Sequence, residues 1–165
     1  MHRSVQVKRC WRSGAFLLNP EGSFRGYGGY VGINPYREVA ADASDAALGR
    51  AVVEQLARSG PTGVAFAEAR AFLERGRDAE TRRLRRRYGL DVKGLNTSRL
   101  ARRFLQADVE QRHGHKSWVI QPYRYDPRLR SMSGADETPA RVRHAAGVAA
   151  LGAALREALR LPNAG

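Results

Sequence analysis

Few residues of this chain could do bond chemistry. Its four histidines are His2, His113, His115 and His144, and its one cysteine is Cys10. His113 and His115, two apart, would share one side of a strand and could begin a metal site. They flank Gly114, a turn residue, and no Cys-x-x-Cys or His-x-x-x-His pair completes four ligands. Exposed turn histidines are the expectation. Cys10 stands near Lys8, Arg9 and Arg12, cations that favour a thiolate. No base neighbours it, so a structural thiol is expected. Phosphodiester cleavage needs a proton shuttle and cations on the phosphate, and His113 or His144 with Glu110 and arginines would supply the parts. Every basic chain offers such parts. Gly26, Gly28 and Gly29 resemble a phosphate loop, but they sit in a strand pattern and run to Asn34-Pro35 instead of opening a helix. The expectation is a non-enzyme with no metal, no cofactor and no small-molecule substrate.

Charge is the stronger signal. Lys+Arg number 29 against 16 Asp+Glu, a net +13, and all but Lys8, Lys93 and Lys116 are arginines. Residues 70–103 contain twelve basic side chains and four acids, which is +8 of the +13. Such a balance attracts phosphates or an acidic protein surface. Tyr123-Arg124-Tyr125-Asp126-Pro127-Arg128-Leu129-Arg130 interleaves aromatics with guanidinium groups. That mixture stacks bases and neutralises phosphates, and it equally matches protein-interface hot spots. A third reading is a strand end near the turn bracketed by Pro122 and Pro127, with tyrosines packed inward and arginines solvated. Residue types alone leave these open.

The frame that must position these groups is bounded by length and composition. The 165 residues suit one domain spanning 1–165, with 42% hydrophobic residues and 13 aromatics enough for a core. A single cysteine excludes a disulfide-stapled fold and fits a reducing compartment, so a cytoplasmic location is expected. No apolar run approaches membrane-span length, and no signal core follows Met1-His2-Arg3.

Ala15-Phe16-Leu17-Leu18 reads as a strand stopped by the turn cluster Asn19-Pro20-Glu21-Gly22. A glycine-rich strand over Phe24 to Ile33 follows. Ser44 is a natural N-cap for a helix carrying Leu48, Val52 and Leu56 on one face, ended by Gly60-Pro61. A second helix is predicted over Val64 to Tyr88, with Gly76 as a candidate break, Gly89 as its cap, and an arginine face that includes Arg82, Arg83, Arg85, Arg86 and Arg87. Phe104 to Arg112 and Ser117 to Gln121 pair as a hairpin through residues 113–116, with Pro122 closing the second strand. Arg141 to Arg143 is a short strand, and Val148, Leu151, Leu155 and Leu159 stripe a terminal helix that Pro162 ends.

Ala46-Ala47-Leu48-Gly49 echoes Ala149-Ala150-Leu151-Gly152, as expected for two helices that pack closely through small residues. The fold class expected is α+β: a mostly antiparallel sheet of about five strands with three helices packed on one side.

The ordered set of features resembles a known family. It comprises Gly32-Ile33-Asn34-Pro35-Tyr36, then Asp42 to Gly49, the helix ending Arg87-Tyr88-Gly89, the strand Trp118-Val119-Ile120-Gln121-Pro122, and Ala150 to Leu159. Over about residues 14–161 it is similar to the immunity proteins of bacterial contact-dependent growth inhibition, the CdiI family. The resemblance implies a cytoplasmic, non-enzymatic inhibitor that binds the C-terminal toxin domain of a cognate CdiA effector, commonly a nuclease. It implies no membrane and no obligate nucleic-acid partner. A chain at +13 would then meet an acidic toxin face, or use a local acidic patch such as Asp42, Asp45, Asp136 and Glu137.

The family carries no shared catalytic residues to transfer. The expected partner contacts are therefore chosen on physical grounds. Tyr123, Arg124, Tyr125, Arg128 and Arg130 come first, and Arg83, Arg86 and Arg87 second. The alternative function is a basic nucleic-acid-binding protein.

Overall fold

The computed structural model describes residues 2–91, 96–134 and 136–161. Alternation of apolar and polar residues builds its centre. In β1 (His2–Cys10), Val5 and Val7 face one way while Ser4, Gln6 and Lys8 face the other. β1 pairs antiparallel with β2 (Phe16–Arg25) on one side and with β6 (Phe104–Arg112) on the other. β6 continues the hairpin to β7 (Ser117–Asp126). Short strands line the outer edges. β3 (Tyr30–Gly32) and β4 (Arg37–Val39) lie along β2, and β8 (Ser131–Ser133) and β9 (Ala140–Arg143) lie along β7. β5 (Gly60–Ala65) pairs parallel with the end of β2, beyond the last β1 pairing at Glu21. The described residues thus form a nine-stranded, mostly antiparallel sheet, larger than the five strands expected.

Two helices cover the apolar face. α1 (Asp45–Arg58) starts at Ser44, whose side chain accepts from the Ala47 N–H. α5 (Gly147–Ala158) lies beside it. Leu48, Val52 and Leu56 of α1 and Leu151 and Leu155 of α5 join Val5, Val7, Phe16, Leu18, Ala107, Val109 and Ile120 in the main core. The residue expected to end α5, Pro162, lies outside the described residues.

Three further helices depart from the expectation of helices on one side only. α2 (Ala69–Arg75), α3 (Ala79–Arg87) and α4 (Thr97–Ala101) stand away from the α1–α5 layer. For α3 the reason is legible in the run Ala15 to Leu18, all four buried, while α2 packs on Phe24 and Ile33. Consecutive strand residues point to opposite faces, so Leu17 emerges opposite Phe16 and Leu18 and needs its own cover. Leu84 of α3 and Tyr36 supply it.

The helix expected over Val64 to Tyr88 is instead the end of β5, a 3-10 turn at Phe66–Glu68, α2 and α3. Gly76 ends α2, and Asp78 caps α3 by accepting from the Thr81 N–H at 2.7 Å. Gly89, at φ 64°, closes α3 as expected, with the Leu90 N–H bonded to the Arg85 carbonyl at 2.8 Å.

Two prolines read as strand ends lie inside strands. Pro20 sits between the segment of β2 paired with β4, which reaches Leu18, and the segment paired with β3, which starts at Glu21. Its carbonyl accepts from the Ile33 N–H at 2.7 Å, so its nitrogen faces that same gap, where no donor is required. Pro122 likewise falls between the β9 pairing, ending at Ile120, and the β8 pairing, starting at Arg124.

Candidate functional site: a hairpin lobe and a charged sheet face

Because β7 runs through Pro122, the Tyr123–Asp126 segment is strand and only Pro127–Arg130 is turn, closing a hairpin onto β8. This corrects the turn expected between Pro122 and Pro127. The Asp126 carboxylate shapes the tip by accepting from the Arg128 N–H at 2.7 Å and the Leu129 N–H at 3.4 Å. Arg130 takes a left-handed backbone, φ 51°, at the tip's end.

Leu129 is thereby pushed into solvent at 65% exposure, more than any other large apolar side chain described. Arg128 and Arg130 flank it, both exposed. At the base Arg124 pairs with Glu137 at 3.4 Å. A small cleft of about 290 Å³ lies there, lined among others by Tyr125, Arg128, Asp136 and Glu137. The lobe is balanced in charge, with Arg124, Arg128 and Arg130 against Asp126, Asp136 and Glu137.

Tyr123 points away from this tip. Its hydroxyl bonds to Asp108 on the polar face of the sheet, where Ser4, Gln6 and Lys8 meet Asn19 and Glu21 of β2 and Gln106, Asp108 and Glu110 of β6. The Ser4 hydroxyl donates to Glu21 at 2.5 Å, and Lys8 donates to Gln6. Lys8 is only 8% exposed, and burial lowers its pKa to about 8 against the pull of Asp108 and Glu21. Burial, reinforced by the Glu21 charge, raises Asp108 to about 7, and its Oδ1 is buried without a partner. Burial likewise raises Tyr123 and Glu21. These shifts follow from stacking charged residues on a half-covered sheet face.

The second group of expected contacts is divided. Arg83 is held by Glu80 through two bonds of 2.9 and 2.7 Å. Arg87 pairs with Glu38 at 2.9 Å, and Arg86 is exposed with no partner among the described residues. The structure therefore brings Arg124, Tyr125, Arg128 and Arg130 together on the lobe, turns Tyr123 to the sheet face, and places the α3 arginines on another element. Leu129 gains importance only once the turn is seen. In sequence it is one leucine between arginines.

His113 and His115 are exposed on the β6–β7 turn, and Cys10 is buried as a free thiol. Among the described residues no group of three or more His, Cys, Asp or Glu side chains could hold a metal ion, and no helix is long and apolar enough to cross a membrane.

No family model matches the chain, and no curated protein matches it. Solved structures do match in fold. A protein of unknown function from Neisseria meningitidis superposes with a TM-score of 0.68 at 20% identity, over 98% of this chain and 96% of that one. A chain of the CdiA-CT/CdiI toxin and immunity complex from Yersinia pseudotuberculosis superposes with a TM-score of 0.64 at 18% identity, over 96% of both chains.

Proposed function

We propose that this chain is an immunity protein that binds and neutralises the C-terminal toxin domain of a cognate CdiA effector, with no turnover of its own. The observation that carries the reading is the end-to-end fold match to a chain of a toxin–immunity complex. It agrees with the family resemblance reached from the residues.

The β7–β8 lobe is the proposed contact. A hairpin that displays an exposed Leu129 between Arg128 and Arg130 offers an apolar anchor with flanking charge, the composition of interface hot spots. Arg124 and Tyr125 support the lobe from β7, Tyr123 is turned to the sheet face beside Asp108 and leaves the proposed contact, and the α3 arginines Arg83, Arg86 and Arg87 are a second, flanking surface. Because the lobe is charge-balanced, it can dock a nuclease toxin without requiring a strongly acidic partner, which answers the difficulty posed by the +13 net charge. Blocking would follow from occlusion of the toxin's active site or its substrate-holding surface.

An immunity gene is expected directly downstream of a large exported effector gene, and the test is co-purification, at moderate salt, of this chain with the C-terminal domain of the effector found there. A stable complex supports the reading. No complex with that domain, from a folded chain, overturns it.

A further inference from the structure

The charge surplus has a location apart from the lobe. Between the β1–β2 turn, the end of α3 and the start of β6 lies an open cleft of about 640 Å³. Among the described residues five guanidinium groups line it, those of Arg12, Arg86, Arg87, Arg102 and Arg103, and no carboxylate does. Arg87 is paired with Glu38, and Arg103 donates to the Tyr88 and Gly89 carbonyls at 3.4 Å each. Arg12, Arg86 and Arg102 are exposed and have no partner among the described residues. A helix C-terminus attracts cations, which accounts for Arg86 and Arg87 in the last turn of α3, for Arg103 on the carbonyls that follow it and for Arg102 as the cap of α4, but not for Arg12, which comes from the β1–β2 turn. Like charges converging from three segments carry a repulsive cost that an anionic ligand would relieve.

The cleft also has a wall suited to a flat ring. Trp11 is 39% exposed, yet it is fixed at both ends: its backbone N–H donates to the Arg103 carbonyl at 2.9 Å and its indole N–H to the Ala101 carbonyl at 3.3 Å. An indole held by its edge leaves a face for stacking. Aromatic faces beside a groove of arginines are the means by which proteins hold unpaired bases and their phosphates.

We propose that this cleft binds single-stranded nucleic acid, with Arg12, Arg86 and Arg102 on successive phosphates and Trp11 stacked on a base. An acidic peptide would use the arginines and leave the pinned indole without a role, so a nucleic acid fits the whole site better. The proposal stands apart from the proposed lobe contact, because it uses none of the lobe residues, and it shares only Arg86 and Arg87 with the flanking α3 surface.

The test is fluorescence anisotropy of the full chain with labelled oligouridine RNA and oligothymidine DNA of about twelve nucleotides. A labelled oligoglutamate of similar charge serves as the third probe. With three or four phosphates engaged, affinity for the oligonucleotides should fall roughly tenfold to fiftyfold between about 50 and about 200 mM salt. Arg86→Glu with Arg102→Glu should weaken binding at least tenfold and flatten the salt dependence. Trp11→Ala should weaken it about tenfold with the salt dependence unchanged, and Arg128→Glu on the lobe should leave it as it was. Binding of RNA, DNA or both in this pattern supports the site, and the two arms say which strand it takes. The proposal is overturned by absence of oligonucleotide binding, by equal binding of oligoglutamate, by a silent Trp11→Ala, or by an Arg128→Glu effect as large as the cleft reversal. None of these results bears on capture of the toxin domain, so the two readings fail separately.

Discussion

Gly49 of α1 lies so close to Val148 of α5 that a Cβ on Gly49 would sit 1.8 Å from the Val148 carbonyl oxygen. The relationship is reciprocal, because a Cβ on Gly152 would sit 2.0 Å from the Asp45 carbonyl oxygen. The small-residue echo in the sequence thus marks a crossing where two backbones touch. Both obstacles are main chain, with no flexible side chain to give way. Helix propensity alone would favour alanine over glycine by about 1 kcal/mol. Gly49→Ala and Gly152→Ala should nevertheless each destabilise the fold by about 3 kcal/mol or more. Urea unfolding measures it, and a gain in stability would refute the crossing.

Arg156 ties the same helix pair to the loop before α1. It bonds to Asp45 at 2.7 Å, to the Ala41 carbonyl at 2.9 Å and to the Ala43 carbonyl, while lying 5.2 Å from the centre of the Phe16 ring. Arg156→Met keeps the aliphatic stem and loses the charged hydrogen bonds, so a loss of about 1.5–3 kcal/mol is expected. Two of the three acceptors are neutral carbonyls. The difference between variant and parent should therefore persist in high salt, as read by thermal unfolding with and without added salt.

If the lobe is the toxin contact proposed above, Leu129→Asp and Arg128→Glu should each weaken toxin-domain affinity at least about thirtyfold, the scale of a hot-spot loss. Both side chains are exposed at a turn, so the melting temperature should stay unchanged. Calorimetric titration reads the first effect and thermal unfolding the second.

The polar sheet face predicts a pH dependence. Asp108's carboxyl, raised to about 7, holds its proton more tightly in the folded chain than in the unfolded one. Its contribution to stability is therefore full below the ordinary carboxylate range and is lost as pH rises from about 4 to about 7. Asp108→Asn removes that loss. Relative to the parent, the variant should gain on the order of 2 kcal/mol between about pH 4.5 and about pH 7.5, measured by urea midpoints. An unchanged difference across that range would contradict the assignment.

Local signals reached local structure. Ser44 and Asp45 begin α1 as read, Gly89 ends α3, and the Leu151–Leu155 stripe of α5 enters the core. Proline and glycine punctuation misled wherever its meaning was tertiary. Pro20 and Pro122 are breakers only if their missing N–H faces a partner strand, and register decides that. Gly60-Pro61 does end a helix, but it also opens β5, whose parallel partner is nearly forty residues earlier in the chain. The strand reading began at Ala15 and passed over β1, although Ser4-Val5-Gln6-Val7-Lys8 alternates cleanly. The Tyr/Arg composition of Tyr123 to Arg130 is legible in sequence, while the exposure of Leu129 depends on the turn geometry. The arginine cleft gathers Arg12, Arg86 and Arg102 from three segments, and no spacing within any one of them announces it.

The most direct test of the account is growth of cells that produce the cognate toxin domain, with and without this chain. The prediction is that the parent chain restores growth, that the Arg128→Glu, Leu129→Asp double variant does not, and that a non-cognate toxin domain remains lethal in the presence of the parent. Growth arrest by the cognate domain that persists despite abundant, folded parent chain would contradict the proposed immunity function.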